Sequence, residues 1–247
     1  MRTPTQLVAI RAELRAAGDP ERAIHSRRFF KTGKGEYAEG DRFLGVTVPD
    51  QRRIVARYRD LALKEILTLL HSPIHEERLT ALLILTAQYP RATSEQQEVI
   101  ARTYLSQTKW INNWDLVDCT APRITGAHLL KRSRSVLRRF AKSKNLWERR
   151  IAIISTLAFI SKGDFKETFT ISKILMHDSH DLIHKAVGWM LREVGKRDLQ
   201  PLDTFLKEYA DRMPRTMLRY AIEKYPQKKR MKYLAMRNTH RKTLDTH

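Results

Sequence analysis

Cysteine is nearly absent, and the single Cys119 excludes an intrachain disulfide and any cysteine-rich zinc site. Long apolar runs are missing too. No stretch approaches the ~20 residues of a membrane span, and residues 1–17 lack a signal-peptide core, so a cytoplasmic location is expected. Glycine is scarce and uneven: four of the nine, Gly33, Gly35, Gly40 and Gly45, fall in one loop spanning residues 32–46. That loop lacks the Lys-Ser/Thr ending and strand context of a phosphate-binding loop. There is no sustained period-two run and no Asn-Gly or Asp-Gly hairpin, so strands are not expected. No Ser/His/Asp order suggests a nucleophilic triad. Acidic residues are also short, with 27 Asp+Glu against 47 Lys+Arg and a formal net charge of +20. An excess of that size on a folded chain calls for a polyanion, and nucleic acid is the usual one.

What is present is helix after helix. The 42% apolar content suffices for a packed core. Residues 5–17, 20–31 and 49–58 read as the first helices, the third opened by Pro49, because Pro suits a first turn. Further on the pattern repeats. Ser72-Pro-Ile-His-Glu-Glu-Arg-Leu-Thr-Ala81, Ser143-Lys-Asn-Leu-Trp-Glu-Arg-Arg-Ile-Ala152 and Ser179-His-Asp-Leu-Ile-His-Lys-Ala-Val-Gly188 share a small polar start, a basic residue six positions on and Ala or Gly nine positions on. A fourth copy covers Thr108 to Val117. Ala81, Val117, Ala152 and Gly188 thus recur every 35–36 residues, the mark of a helical solenoid with two helices per unit. Partner helices are expected at about residues 61–71, 94–106, 128–142 and 164–176.

Within the fourth copy lies Trp110-Ile-Asn-Asn-Trp-Asp-Leu-Val-Asp118. On a helix, Trp114 and Asp118 share a face one turn apart. Equivalent repeat positions stack side by side, so the repeat predicts that Trp114, Asp118, Arg150 and Trp189 converge on one patch. Indole faces attract cations, a carboxylate stabilises developing positive charge, and arginine anchors phosphate. Together these suit a cationic leaving group on a nucleotide, lost through an oxocarbenium-like sugar. The bland readings stand beside this one. A repeat Trp ordinarily packs the core, and Trp110 and Trp147 read as packing residues. Asn112 and Asn113 read as helix caps. Asp115 rivals Asp118, and spacing alone leaves open which faces outward. His177, His180 and His184 have metal-ligand spacing, but Asp178-Ser179 reads as a turn that takes them off one helix. Cys119 reads as a small buried packing residue.

Four segments, in their order and spacing, carry a resemblance: Asn113-Trp-Asp-Leu-Val-Asp118, Asn145-Leu-Trp-Glu-Arg-Arg150, Ala186-Val-Gly-Trp-Met-Leu-Arg-Glu193 and Arg215-Thr-Met-Leu-Arg-Tyr-Ala-Ile-Glu223. With Asp41-Arg-Phe-Leu-Gly-Val46, they make the chain similar to the AlkD-type DNA alkylation repair family, the HEAT-like-repeat alkylpurine DNA glycosylases. The resemblance implies an all-α, right-handed superhelical α-solenoid with a concave basic groove. Residues 1–247 would form one domain, with regular repeats over about 47–225 and a basic C-terminal extension at 226–247. It further implies a monofunctional glycosylase that excises N7-methylguanine and N3-methyladenine from duplex DNA as a monomer, without flipping the base, and associates with the nucleoid when on DNA. Such a glycosylase needs no metal or organic cofactor. By motif position, Asp118 resembles the catalytic carboxylate, and Trp114 and Trp189 the aromatic pair at the lesion. Arg150 resembles the backbone anchor and Arg192 a further phosphate contact, with Arg149 and Lys185 beside them. Phe29 falls at an aromatic position near the DNA, where it lacks the hydroxyl of a tyrosine. The rivals are a non-catalytic repeat protein that binds damaged or unusual DNA structures, and a scaffold for protein partners.

Overall fold

The computed structural model describes residues 5–236. Every regular element in that span is helical, and the nearest approach to a sheet is one isolated bridge between Arg42 and Ile74. The chain divides into two compact units between Ile124 and Thr125.

The first unit opens with α1 (Gln6–Ala16) and α2 (Pro20–Phe29). Thr5 and Asp19 accept hydrogen bonds from backbone N–H groups of the first turns, satisfying donors that a helix start leaves orphaned. After the glycine-bearing loop come α3 (Val48–Arg57), α4 (Leu63–Leu70) and α5 (His75–Gln88). Next are α6 (Ser94–Ser106), opened by a Thr93/Gln96 capping box, and the short α7 (Trp114–Thr120). Helix α5 is the axis of this unit. Every residue from His75 to Leu85 is buried, and it packs against α3, α4 and α7. The Tyr104 hydroxyl lies 2.8 Å from that of Thr120 and ties α6 to α7.

The loop of residues 41–46 is fastened to α5 and α2 rather than left loose. Glu76, at the start of α5, accepts from the N–H groups of Leu44 at 3.0 Å and Gly45 at 2.8 Å. Asp19 donates its N–H to the Leu44 carbonyl at 2.8 Å, and the Arg22 Nε to the Gly45 carbonyl at 2.9 Å. Gly45 has φ +79°, and a Cβ there would lie 2.1 Å from the Asp19 carbonyl oxygen. Both the dihedral and the space demand glycine. Gly45→Ala is therefore expected to lose more than about 1 kcal/mol, seen as a lower urea midpoint with an unchanged slope.

The second unit holds α8 (Ser135–Phe140), α9 (Leu146–Ile154), α10 (Leu157–Ile160), α11 (Lys166–Leu175), the long α12 (Asp181–Arg197), α13 (Leu199–Tyr209), α14 (Arg215–Ala221) and α15 (Gln227–Ala235). Helix α12 is its axis and packs on α9, α11, α13 and α14. Gly188 lies where α12 meets α14: a Cβ there would be 2.4 Å from the Met217 carbonyl oxygen. The small residue expected at that repeat position is thus required by close approach. Ala81, Val117 and Ala152 are likewise fully buried.

Three expected partner helices appear as α4, α6 and α11. The fourth, expected at 128–142, is broken. A 3-10 turn covers Leu129–Lys131, Arg132 is extended at φ −129° and ψ 170°, and α8 starts only at Ser135. The Ser133 hydroxyl takes the Ser135 N–H at 3.5 Å, the local competition by which serine interrupts a helix. The basic extension begins as α15, where Lys229 pairs with Asp203 at 2.6 Å; Arg237, Arg241 and Lys242 lie outside the described residues.

Candidate functional site

In the first unit the site is built on α7. Asn113, fully buried, caps it by accepting the Trp114 N–H at 2.8 Å. The first turn is thereby fixed, and with it the face that carries Trp114 and Asp118 one turn apart. The Trp114 ring stacks on Phe30 with centroids 5.2 Å apart and meets the edge of Phe29 at 5.7 Å. Phe29, called from sequence, is 56% exposed, so the array presents an open aromatic edge. Phe30, missed from sequence, is the ring on which the array rests, and it stacks in turn on Phe43 at 5.2 Å.

Beneath these rings lies a buried ionic chain. His75 Nε2 is 2.8 Å from Asp115 Oδ2, and its Nδ1 is 3.5 Å from Asp41 Oδ2. Asp41 is bound by Arg78 Nη2 at 2.7 Å, and Arg78 Nη1 donates to the Ser72 carbonyl at 3.0 Å. Phe43 and Phe30 cover the imidazole at 4.7 and 5.0 Å. Burial opposes protonation of His75, but the charge and hydrogen bond of Asp115, with the hydrogen bond of Asp41, outweigh it and push the imidazole up to about 9. At neutral pH His75 is thus an imidazolium that donates from both nitrogens. Burial also acts to raise the Asp41 carboxyl, yet His75 and Arg78 hold it below the usual carboxylate range.

This arrangement separates the two candidate carboxylates. Asp115 is buried and engaged by His75 and by the Leu116 N–H at 2.9 Å. Asp118 is half-buried, on the Trp114 face. Sequence reasoning missed His75, Asp41 and Arg78. The available signal was four consecutive polar residues, His75 to Arg78, opening an otherwise apolar helix; all four are 2–3% exposed.

The second unit carries the other candidates. Trp189 is half-buried and donates its indole N–H to Glu193 at 3.0 Å, one turn on. Lys196 shares that carboxylate at 2.7 Å. Arg192 pairs with Glu223, and Lys185 with Asp181 at 2.7 Å. Such partly exposed pairs are weak and can exchange partners with a phosphate. Arg149 and Arg150 are committed more deeply. Arg149 binds Asp178 at 2.5 Å and the carbonyls of Ser143 and Lys144 at 3.0 Å. Arg150 is buried and donates to the Leu182 carbonyl at 2.6 Å. Both tie α9 to the approach and first turn of α12, which carries Lys185, Trp189 and Arg192.

The bland readings sort themselves as well. Trp147 is buried, and Trp110 stacks on His71 at 4.9 Å. Asn113 is a cap, as expected. His180 caps α12 from outside, His184 lies within it and His177 precedes both; among the described residues no cluster suited to a metal is found. Cys119 corrects the expectation of a buried packing residue: it is only half-buried, on the side of α7 away from the fully buried Leu116, Val117 and Thr120.

All-helical in its described residues, with a large basic excess and with a half-buried carboxylate and tryptophan on one helix face, the chain falls in the class of α-helical proteins that act on polyanions. Residues 10–225 match the model of the DNA alkylation repair enzymes, and the chain belongs to that family. Its fold is also that of a predicted DNA alkylation repair enzyme from Enterococcus faecalis, at 16% identity and a TM-score of 0.67, over 85% of this chain and 97% of that one. Comparison with curated proteins gives no match.

Proposed function

We propose that the protein is a monofunctional DNA glycosylase that hydrolyses the N-glycosidic bond of cationic alkylated purines, N7-methylguanine and N3-methyladenine, in duplex DNA. The observation that carries this reading is the difference between the carboxylates: Asp115 is buried and bound by His75, whereas Asp118 is half-buried on the helix face of Trp114. An alkylated purine already bears the charge that makes it a good leaving group, so the enzyme needs no general acid. As the bond breaks, positive charge moves onto the sugar. Asp118 stabilises that charge and orients the attacking water, while the faces of Trp114 and Trp189 favour the cationic nucleotide. The products are the free base and an abasic site. Phe29 extends the aromatic edge without a hydroxyl, so its role is stacking. Lys185 and Arg192 exchange their carboxylates for phosphates, and Arg149 and Arg150 hold α12 in place for those contacts.

The experiment is release of base from a duplex containing N7-methylguanine, with the products identified by mass. Free N7-methylguanine and an abasic strand are expected, and duplex affinity should fall steeply as salt rises. Tight binding of the lesion duplex with no base released would favour the non-catalytic binding protein instead.

A further inference from the structure

Helix α3 carries two basic faces that the fold treats differently. Arg53 lies 2.8 Å from Asp50, and Arg57 pairs with Glu13. The other stripe, Arg52, Val55 and Ala56, follows the spacing of one helix face, and Arg59 stands in the turn just past its end. It borders a cleft of about 380 Å³ lined also by Leu83, Arg91 and Arg123. No Asp or Glu lines this cleft. Among the described residues Arg52, Arg59 and Arg123 have no carboxylate at ion-pair distance, and Arg91 reaches only the exposed Asp60 at 3.5 Å. Other clefts of the same unit are balanced: one combines Arg91 with Asp60 and Glu95, another Arg53 and Arg57 with Glu13 and Asp50.

Four guanidinium groups around one cleft repel each other, and a bound anion removes that cost. Their planar forks match phosphate oxygens. The cleft also opens beside the site. Arg123 Nη1 donates to the Cys119 carbonyl at 3.3 Å, and Arg52, Arg123 and Asp118 all act electrostatically on the Cys119 thiol. We propose that the cleft of Arg52, Arg59, Arg91 and Arg123 is a phosphate-binding subsite that holds duplex DNA backbone next to α7. The proposal rests on the reading of Asp118 as the residue that faces DNA. An open cleft with several guanidinium groups around it suits successive phosphodiesters better than one enclosed anion.

The test is fluorescence anisotropy with an undamaged duplex over a salt series. Arg52→Ala/Arg123→Ala is expected to bind about tenfold more weakly at low salt and to flatten the log K against log salt slope by about 2. Arg53→Ala/Arg102→Ala removes the same charge from paired, exposed positions and is expected to stay within about twofold of wild type. Arg52→Lys/Arg123→Lys should recover part of the affinity, and thermal melts establish that each variant is folded. If the two alanine pairs weaken binding equally and leave equal slopes, the subsite is overturned in favour of a general charge effect. A melting temperature raised by inorganic phosphate in wild type but not in Arg52→Ala/Arg123→Ala, with duplex affinity intact in both, would overturn it in favour of a free-anion site. Because the duplex carries no lesion, the result stands apart from base release. An inactive wild type whose affinity still depends on Arg52 and Arg123 would sink the glycosylase reading and leave the subsite standing.

Discussion

His75→Leu is expected to lose about 3–5 kcal/mol of stability, the cost of removing one partner from a buried charge network. The variant keeps volume and adds apolar surface, so the loss does not come from a cavity. It comes from Asp115 and Asp41, which stay buried while their shared donor is gone and only Arg78 remains to Asp41. Wild type should also show a matching pH dependence. The folded imidazole, at about 9, lies above its ordinary 6.5. Its contribution is therefore complete below about pH 6.5 and disappears as pH rises through 9, an effect of about 3 kcal/mol. Asp41, held low, has the opposite sign: its contribution is present at neutral pH and fades as acid protonates it. Urea unfolding between pH 6 and 10 checks the first effect, in which wild type loses stability and His75→Leu, already low, stays flat. A variant as stable as wild type would show that the network is not what holds α7 against α5.

That network explains why the site was only partly legible in the sequence. The helices were readable because apolar periodicity is local. The repeat spacing was readable because close helix approach demands small residues at fixed positions, as Gly188 shows against Met217. Phe29 and Trp114 were both named from sequence, and the fold brings their rings together. The choice between Asp115 and Asp118 was not readable. Helix spacing places them on adjacent faces, and the partner that sets Asp115 apart, His75, lies 40 residues away in sequence. The run from His75 to Arg78 is a polar start to a helix whose burial makes sense only through distant partners: Asp41, Arg11 on Glu77, and the amides of residues 44–45 on Glu76. The break at Arg132 was hidden for the opposite reason: a weak local serine contact outcompetes an otherwise helical pattern.

The loop containing Gly45 belongs to the same account. Its backbone is fixed by Glu76, one residue from His75, so α5 supports both the loop and the imidazolium. Phe43 in that loop covers His75, and Phe30 joins Phe43 to Trp114. The position of the Trp114 ring thus depends on side chains that have no direct part in chemistry.

In the proposed reaction the chemistry is decided at the Asp118 carboxylate. Asp118→Asn preserves shape but removes the negative charge that would stabilise the sugar cation. Loss of one such electrostatic contact in a site typically lowers the rate about 10²–10³-fold. Affinity for the DNA should be retained or increased, because a negative charge facing phosphates has been removed. Asp115→Asn should behave differently, losing stability through His75 rather than failing in chemistry alone. The most direct measurement is single-turnover release of N7-methylguanine from duplex DNA by wild type and Asp118→Asn, with enzyme in excess and both variants verified as folded. Release by wild type, with a rate about 10²–10³-fold lower for Asp118→Asn, is the predicted result. Equal release rates for the two proteins, or no release by wild type, would contradict it.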